Sequence, residues 1–352
     1  MKILLDELKS LASRINRPLK LMEVCGTHTV EIFRHGIRSV IPPSITLLSG
    51  PGCPVCVTSI HDVDAAIWIA KQPGTVLVTF GDMMRVPGGK QSLMEARSEG
   101  ADVQIMYSPM DALKLAQRET KKRVVFFATG FETTSPLIAG TVFAAKQEGV
   151  KNFSVYSSHK TVPLAIKALL DSPDVNVDGF IMPGHVSTMI GLKPYEFIAT
   201  NYKKPSVITG FEAQEIILGI LMIVRQISKK EAKVENAYPI VVRPEGNPKA
   251  MKLLNDVFEP SDAYWRGIGT LPGTGLKLRE QYREFDAEVR FKPETTGIPE
   301  PELCSCGDIL RGVKVPTECP LFGTGCTPDS PVGPCMVSTE GSCAAYFKYG
   351  QR

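Results

Sequence analysis

Between residues 19 and about 228 the chain alternates short β-branched or aromatic runs with helical patterns, and this alternation limits the folds open to it. The candidate strands are LKLMEV (19–24), SITLLS (44–49), TVLVTF (75–80), DVQIMYS (102–108), RVVFFAT (123–129), FSVYSS (153–158), GFIMP (179–183) and SVIT (206–209). Helical patterns such as VEIFRHGIRSV, HDVDAAIWIAKQ, PLIAGTVFAAKQEG and EAQEIILGILMIVRQISKK lie between them. Strands joined through helices run parallel, so the expected class is α/β with parallel sheets. Helix starts are expected at Ser135, before Pro136, and at Ser187, before TMIGL. The basic run RETKKR at 118–123 suggests a boundary between two small α/β units, 1–118 and 119–229. The first begins with an amphipathic helix carrying Leu4, Leu5, Leu8, Leu11 and Ile15 on one stripe. From 230 to 352 the texture changes to Gly- and Pro-rich sequence with few regular periods, an irregular third domain that needs something to staple it.

Composition removes several function classes. The chain has 40 basic and 37 acidic residues, a formal net charge of +3, which gives no electrostatic case for nucleic acid or an anionic membrane. The first 18 residues break their apolar run at Asp6, unlike a signal peptide. The longest apolar stretch, IILGILMIV at 216–224, is too short to span a bilayer. A cytoplasmic location is therefore expected, where stable disulfides are disfavoured and cysteines more often serve metals or redox chemistry. Of the nine cysteines, three lie in the first 56 residues and six between 304 and 343. This distribution implies two chemical centres.

In open parallel sheets ligands collect at the carboxyl ends of strands. Those ends here carry Cys25-Gly26-Thr27-His28, Gly50 to Cys56 (GPGCPVC), Gly81-Asp82, Gly130 to Thr134, Ser157 to Lys160, and Gly184-His185. His28, His61, His159 and His185 all fall at or near such ends, whereas His35 sits inside a helical pattern. ATGFETT (128–134) and ITGFEAQ (208–214) repeat Thr-Gly-Phe-Glu after a strand, which suggests one turn type with glycine at positive φ. Cys25 is expected just before a helix, where the dipole and free N–H groups lower a thiol pKa. It could be a nucleophile, a metal ligand or a packed thiol. Cys53 and Cys56 form a Cys-x-x-Cys stiffened by Pro51 and Pro54, which suits a dithiol or a shared metal.

The last six cysteines are Cys304, Cys306, Cys319, Cys326, Cys335 and Cys343. None of their gaps matches a zinc ribbon. Thiols spread through a Gly/Pro-rich segment suit an iron–sulfur cluster with four ligands, leaving two over as a candidate redox pair.

MEVCGTHT, GPGCPVC and this tail, taken together, resemble the HypD family of nickel–iron hydrogenase maturation proteins along essentially the whole chain. The resemblance implies two Rossmann-like α/β domains and an iron–sulfur domain. The family's tail pattern falls on Cys304, Cys319, Cys326 and Cys343 as ligands of a 4Fe–4S cluster, with Cys306 and Cys335 as the surplus pair. It further implies a scaffold on which an Fe(CN)2CO group is assembled as cargo, bound by Cys25 and by a cysteine of the partner HypC. Cyanide is delivered from HypE as a thiocyanate, and His28 serves Cys25. No membrane or nucleic-acid partner is expected, and the chain alone is expected to be a monomer. The main rival is a 4Fe–4S-dependent thiol–disulfide oxidoreductase that works through Cys53 and Cys56 on a separate protein. A zinc-stabilised interaction module is the other. Cys25-Gly-Thr-His has no purpose in the first rival, and a brown protein contradicts the second.

Overall fold

A computed structural model describes residues 1–350. The strands are β1 (Leu19–Glu23), β2 (Ile45–Ser49), β3 (Thr75–Thr79), β4 (Val103–Ile105), β5 (Arg123–Gly130), β6 (Phe153–His159), β7 (Gly179–Pro183), β8 (Ser206–Thr209), β9 (Val234–Asn236), β10 (Phe258–Trp265) and β11 (Gly269–Leu278). One sheet has the order β2-β1-β7-β8-β9 and a second the order β4-β3-β5-β6, while β10 and β11 form a separate ribbon. Every pairing within the two sheets is parallel. The fold is therefore α/β with two Rossmann-like sheets and a cysteine-rich C-terminal region. Among the described residues no helix is long and apolar enough to cross a membrane.

The sheets are not divided at residue 118. The chain leaves the first sheet after β2, builds all of the second from β3 to β6, and returns at β7. Pairing of β1 with β7, Leu21 to Gly179 through Glu23 to Ile181, requires this return. The basic run marks a surface turn inside the second sheet, where Lys122 Nζ reaches Asp102 at 3.1 Å and Arg123 donates to Pro73 O at 2.7 Å.

The expected helix starts shift slightly. Ser135 is the first helical residue of Ser135–Gln147. Ser187 lies inside the helix Gly184–Ile190, with its hydroxyl donating to Pro183 O at 2.7 Å.

The segment after 230 is not irregular throughout. Helix Pro248–Val257 and the β10–β11 ribbon pack Leu254, Val257, Phe258, Leu276 and Leu278 into the core on one face of the second sheet. The ribbon carries Pro260, Pro272 and a bulge between Ser261 and Ala263, features that a two-stranded edge tolerates and a central strand does not. Irregular chain begins after the helix Ala287–Phe291.

Three apolar clusters organise the molecule. One lies under the first sheet, against the N-terminal helix Lys2–Arg14 and the helix Ala213–Lys229. The second is the core just described. The third joins the two sheets and takes in Trp265, Ile309, Leu310, Met336 and most of the cysteines.

The N-terminal helix is attached by burial more than by charge. Arg225 makes two 2.7 Å bonds to Glu7, but both side chains are well exposed and solvent screens the pair. Leu8 has no exposed surface. Leu8→Ala is expected to cost about 2–5 kcal/mol, and Arg225→Ala should move the denaturation midpoint far less. Urea titration of both variants checks the order.

Candidate functional site

Strand order reverses between β1 and β7 in the first sheet and between β3 and β5 in the second, and such switch points open a crevice at the strand ends. Cys25 sits at the first of these. It caps the helix Gly26–Arg34 with extended backbone. Gly26 N–H donates to Gly52 O at 3.0 Å, and Gly50 N–H to Glu23 O at 2.8 Å. These bonds tie the CGTH turn to the GPGCPVC loop. Glycine is required at position 52 because a Cβ there would overlap the backbone of Val24 and Cys25.

The helix terminus does not lower the Cys25 thiol. Burial pushes it up to about 12, aided by the Glu340 and Glu23 charges, against hydrogen bonds from the His28 backbone and Thr27. Beneath it Glu23, with no exposed surface, accepts the Cys25 N–H at 3.3 Å and the Thr29 hydroxyl. Burial raises its carboxyl to about 8 despite those bonds. Glu23 was missed in the sequence, although an acid inside the apolar run LMEV is a visible signal.

His28 is fully buried, and burial holds its ring neutral, with a pKa of about 4. Nε2 lies 2.9 Å from both Gly210 O and Thr209 Oγ1, while Nδ1 has no partner. Phe211 stacks on His28 at 4.7 Å and on His185 at 4.0 Å. One Thr-Gly-Phe-Glu turn thus clamps two histidines beside Cys25. The other turn behaves differently: Phe131 stacks on Trp265, and Glu132 accepts the Val162 N–H at 3.0 Å. Neither glycine of the pair has positive φ. A Cβ on Gly130 would run into the Thr134 Cβ, whereas one on Gly210 would meet the movable Glu215 carboxylate. His61 and His159 are not brought to this site; their rings lie edge-on to Tyr264 and Phe258. His35 pairs with Glu31 at 3.1 Å.

The two groups of cysteines meet. Cys53 and Cys56 lie with their sulfurs 2.7 Å apart, and the Cys56 N–H donates to Cys53 Sγ at 3.3 Å. Cys306 and Cys335 approach to 2.9 Å. The turn Pro334–Met336 that carries Cys335 packs against Pro54–Val57, which carries Cys56, and against Ser342–Tyr349, which carries Cys343. Burial alone would raise Cys56, but hydrogen bonds from Cys335 and Cys53 outweigh it and hold the thiol at about 6. Burial and the Cys56 charge push Cys53 well up. A continuous chain of thiols therefore runs from the Cys-x-x-Cys loop into the tail. The segment 335–343 secures it, with Ser338 donating to Asp82 at 3.1 Å and Thr27 donating to Glu340 at 2.7 Å. Ser338 and Glu340 left no pattern in the sequence.

All nine cysteines are free. Among the described residues no three His, Cys, Asp or Glu side chains already converge as a metal cage. The chemistry of Cys304, Cys319, Cys326 and Cys343 nonetheless suits an iron–sulfur cluster. Burial raises the Cys304 thiol to about 12, with Cys306, Cys319 and Cys343 adding repulsion that a cationic iron–sulfide core would relieve. The Val332 N–H donates to Cys326 Sγ at 3.3 Å, the kind of bond that stabilises ligating thiolates.

A family model named HypD, described as the hydrogenase formation hypA family, matches residues 1–350. The chain belongs to the HypD family. It is 48% identical to the hydrogenase maturation factor HypD of Rhodobacter capsulatus, covering 99% of this chain and 95% of that protein. It is 47% identical to a putative hydrogenase expression/formation protein of Methanocaldococcus jannaschii, over 99% and 97% of the two. Against HypD of Escherichia coli the identity is 43%, over 99% and 95%. In this member of the HypD family, the CGTH turn, the GPGCPVC loop and the tail cysteines form one connected site.

Burial raises the Glu132 carboxyl to about 7, against hydrogen bonds from its own and the Val162 backbone. The folded chain thus holds a proton that the unfolded chain releases near pH ~4.3. Stability from this group is full below that pH and falls as pH rises towards about 7. Glu132→Gln is expected to lessen the loss of stability between pH 5 and pH 8, measured by denaturant midpoints. An unchanged slope would remove this assignment.

Proposed function

We propose that the chain matures a hydrogenase by holding the iron of an Fe(CN)2CO group as cargo on Cys25, in complex with HypC and supplied with cyanide by HypE. The observation that carries this reading is the placement of Cys25 at the switch point between β1 and β7, tied by backbone hydrogen bonds to the CPVC loop, which packs against the tail. A low-spin ferrous centre carrying cyanide and CO favours soft thiolate donors. The buried Cys25 stays protonated until a cation arrives, so iron binding releases its proton. The neutral His28 ring, clamped by Phe211, orients the turn rather than supplying a proton from an imidazolium.

Cys53 and Cys56 are the proposed electron source for freeing cyanide. A protein thiocyanate becomes a thiol and hydrogen cyanide by taking up two electrons and two protons. A dithiol closing to a disulfide gives up that number of each. Closing the 2.7 Å gap to a bond needs less than about 1 Å of sulfur travel. Cys304, Cys319, Cys326 and Cys343 are the proposed ligands of a 4Fe–4S cluster, which supplies one-electron chemistry when bound. Cys335 and Cys306 lie between that set and Cys56. Free thiols throughout suit the cytoplasm.

Anaerobic protein is expected to carry about four iron and four sulfide per chain. Cys343→Ala should lose the cluster and Cys335→Ala should keep it; the reverse result removes the ligand assignment. With HypC bound, infrared bands for cyanide and CO are expected, and Cys25→Ala should lack them while retaining its cluster. Bands that persist in Cys25→Ala would end the cargo role. Cys53→Ala and Cys56→Ala should each keep the cluster and the partner yet fail in cyanide transfer. Full maturation by either variant would leave the dithiol a structural role only.

A further inference from the structure

Among the described residues Arg38 is a cation with no ion-pair partner, and Glu23, the buried carboxyl that feels its charge, is held protonated at neutral pH because burial raises it to about 8. Arg38 follows the CGTH helix, in the short helix Ile37–Val40. Its guanidinium lies 4.7 Å from the Phe33 ring and 5.3 Å from the Tyr346 ring. Phe33 belongs to the CGTH helix, and Tyr346 to the helix Ser342–Tyr349, in which Cys343 stands one turn earlier. The two rings meet edge to face at 4.5 Å. Arg38 thus bridges the helix that presents Cys25 and the helix that presents Cys343.

One of its nitrogens donates to Leu47 O at 2.7 Å. Nε and Nη2 are buried and have no partner, and among the described residues Arg38 forms no ion pair. Two cations of the tail itself are already matched: Lys314 pairs with Asp308 at 2.8 Å, and Arg311 with Asp308 at 2.7 Å. Cation–π contact with two rings holds a guanidinium in place, but it does not balance a buried positive charge.

We infer that Arg38 is the positioning and charge-balancing residue for the iron–sulfur cluster, resting on the assignment of Cys343 as one of its ligands. Four thiolates around an oxidised 4Fe–4S core leave a net negative charge, and each reduction adds another. A fixed guanidinium nearby favours the reduced form and raises the reduction potential. As a scale, a unit charge ~10 Å from any redox centre, at an effective dielectric of ~20, changes a one-electron equilibrium by on the order of tenfold.

The test is a redox titration of the reconstituted full chain, followed by electron paramagnetic resonance, for wild type, Arg38→Gln and Arg38→Lys. Arg38→Gln is expected to keep about four iron per chain. At the wild-type midpoint its ratio of reduced to oxidised cluster should be about tenfold lower, a shift of ~59 mV to more negative potential. Arg38→Lys keeps the charge and should stay near wild type. A normal potential in Arg38→Gln with its cluster intact overturns the inference. Loss of the cluster from both variants also overturns it, because Arg38 would then serve assembly alone. A wild-type chain that takes up no cluster instead refutes the cofactor assignment on which the inference rests.

Discussion

The pairing of β1 with strands on both sides is the constraint on which the rest of the structure depends. β1 runs parallel to β2 from Leu19 to Glu23, and β7 takes its other edge. A strand joined to its sequence neighbour on one side and to a distant strand on the other ends in a crevice, and Cys25 is placed there by two residues of chain. The second sheet is then an excursion between β2 and β7. Its own switch point, at β3 and β5, brings Asp82 and Glu132 to the same side of the molecule, where Asp82 can meet Ser338.

Low dielectric decides the chemistry of this seam. A helix terminus contributes about 0.3–1 kcal/mol to an anion, less than one pKa unit. Full burial can move a group by up to about 3–5 units, so Cys25 is a thiol despite standing at a helix cap. Cys56 is equally buried and goes the other way, because interaction with the neighbouring sulfurs of Cys335 and Cys53 favours its thiolate. The difference lies in what surrounds each sulfur. Cys25 faces Glu23 and Glu340, which disfavour a negative charge, whereas Cys56 faces protonated thiols that welcome one.

Much of this was legible in the sequence, because the strands of a parallel sheet are continuous apolar runs and their polar ends announce themselves. TVLVT, RVVFFAT and GFIMP are buried along nearly their whole length. Sheet membership was not legible. Local pattern says where a strand is but not which partner it takes, so the basic run at 118–123 was read as a boundary when it marks a surface turn. The ribbon at 258–278 was hidden by prolines and glycines that only an edge pairing accepts. The reason for Gly130 in the first Thr-Gly-Phe-Glu turn was also hidden, since close approach by Thr134 depends on packing and not on φ. Arg38 had no signal at all. Its meaning comes from Tyr346, more than three hundred residues away.

The tail is held by more than its cysteines. Arg266 N–H donates to Val57 O at 3.0 Å, directly after the Cys-x-x-Cys turn, and its guanidinium reaches Pro87 O and Glu300, each at 2.8 Å. Thr296 donates to the buried Asp64 carboxylate. Gly267 and Gly307 approach so closely that a Cβ on either would strike the other's backbone. Trp265, Ile309 and Leu310 sit in the core shared by the two sheets. These contacts fix the C-terminal segment against the CPVC loop independently of any metal. The segment that carries Cys306 and Cys335 is therefore held in register with the Cys-x-x-Cys loop by packing and hydrogen bonds alone.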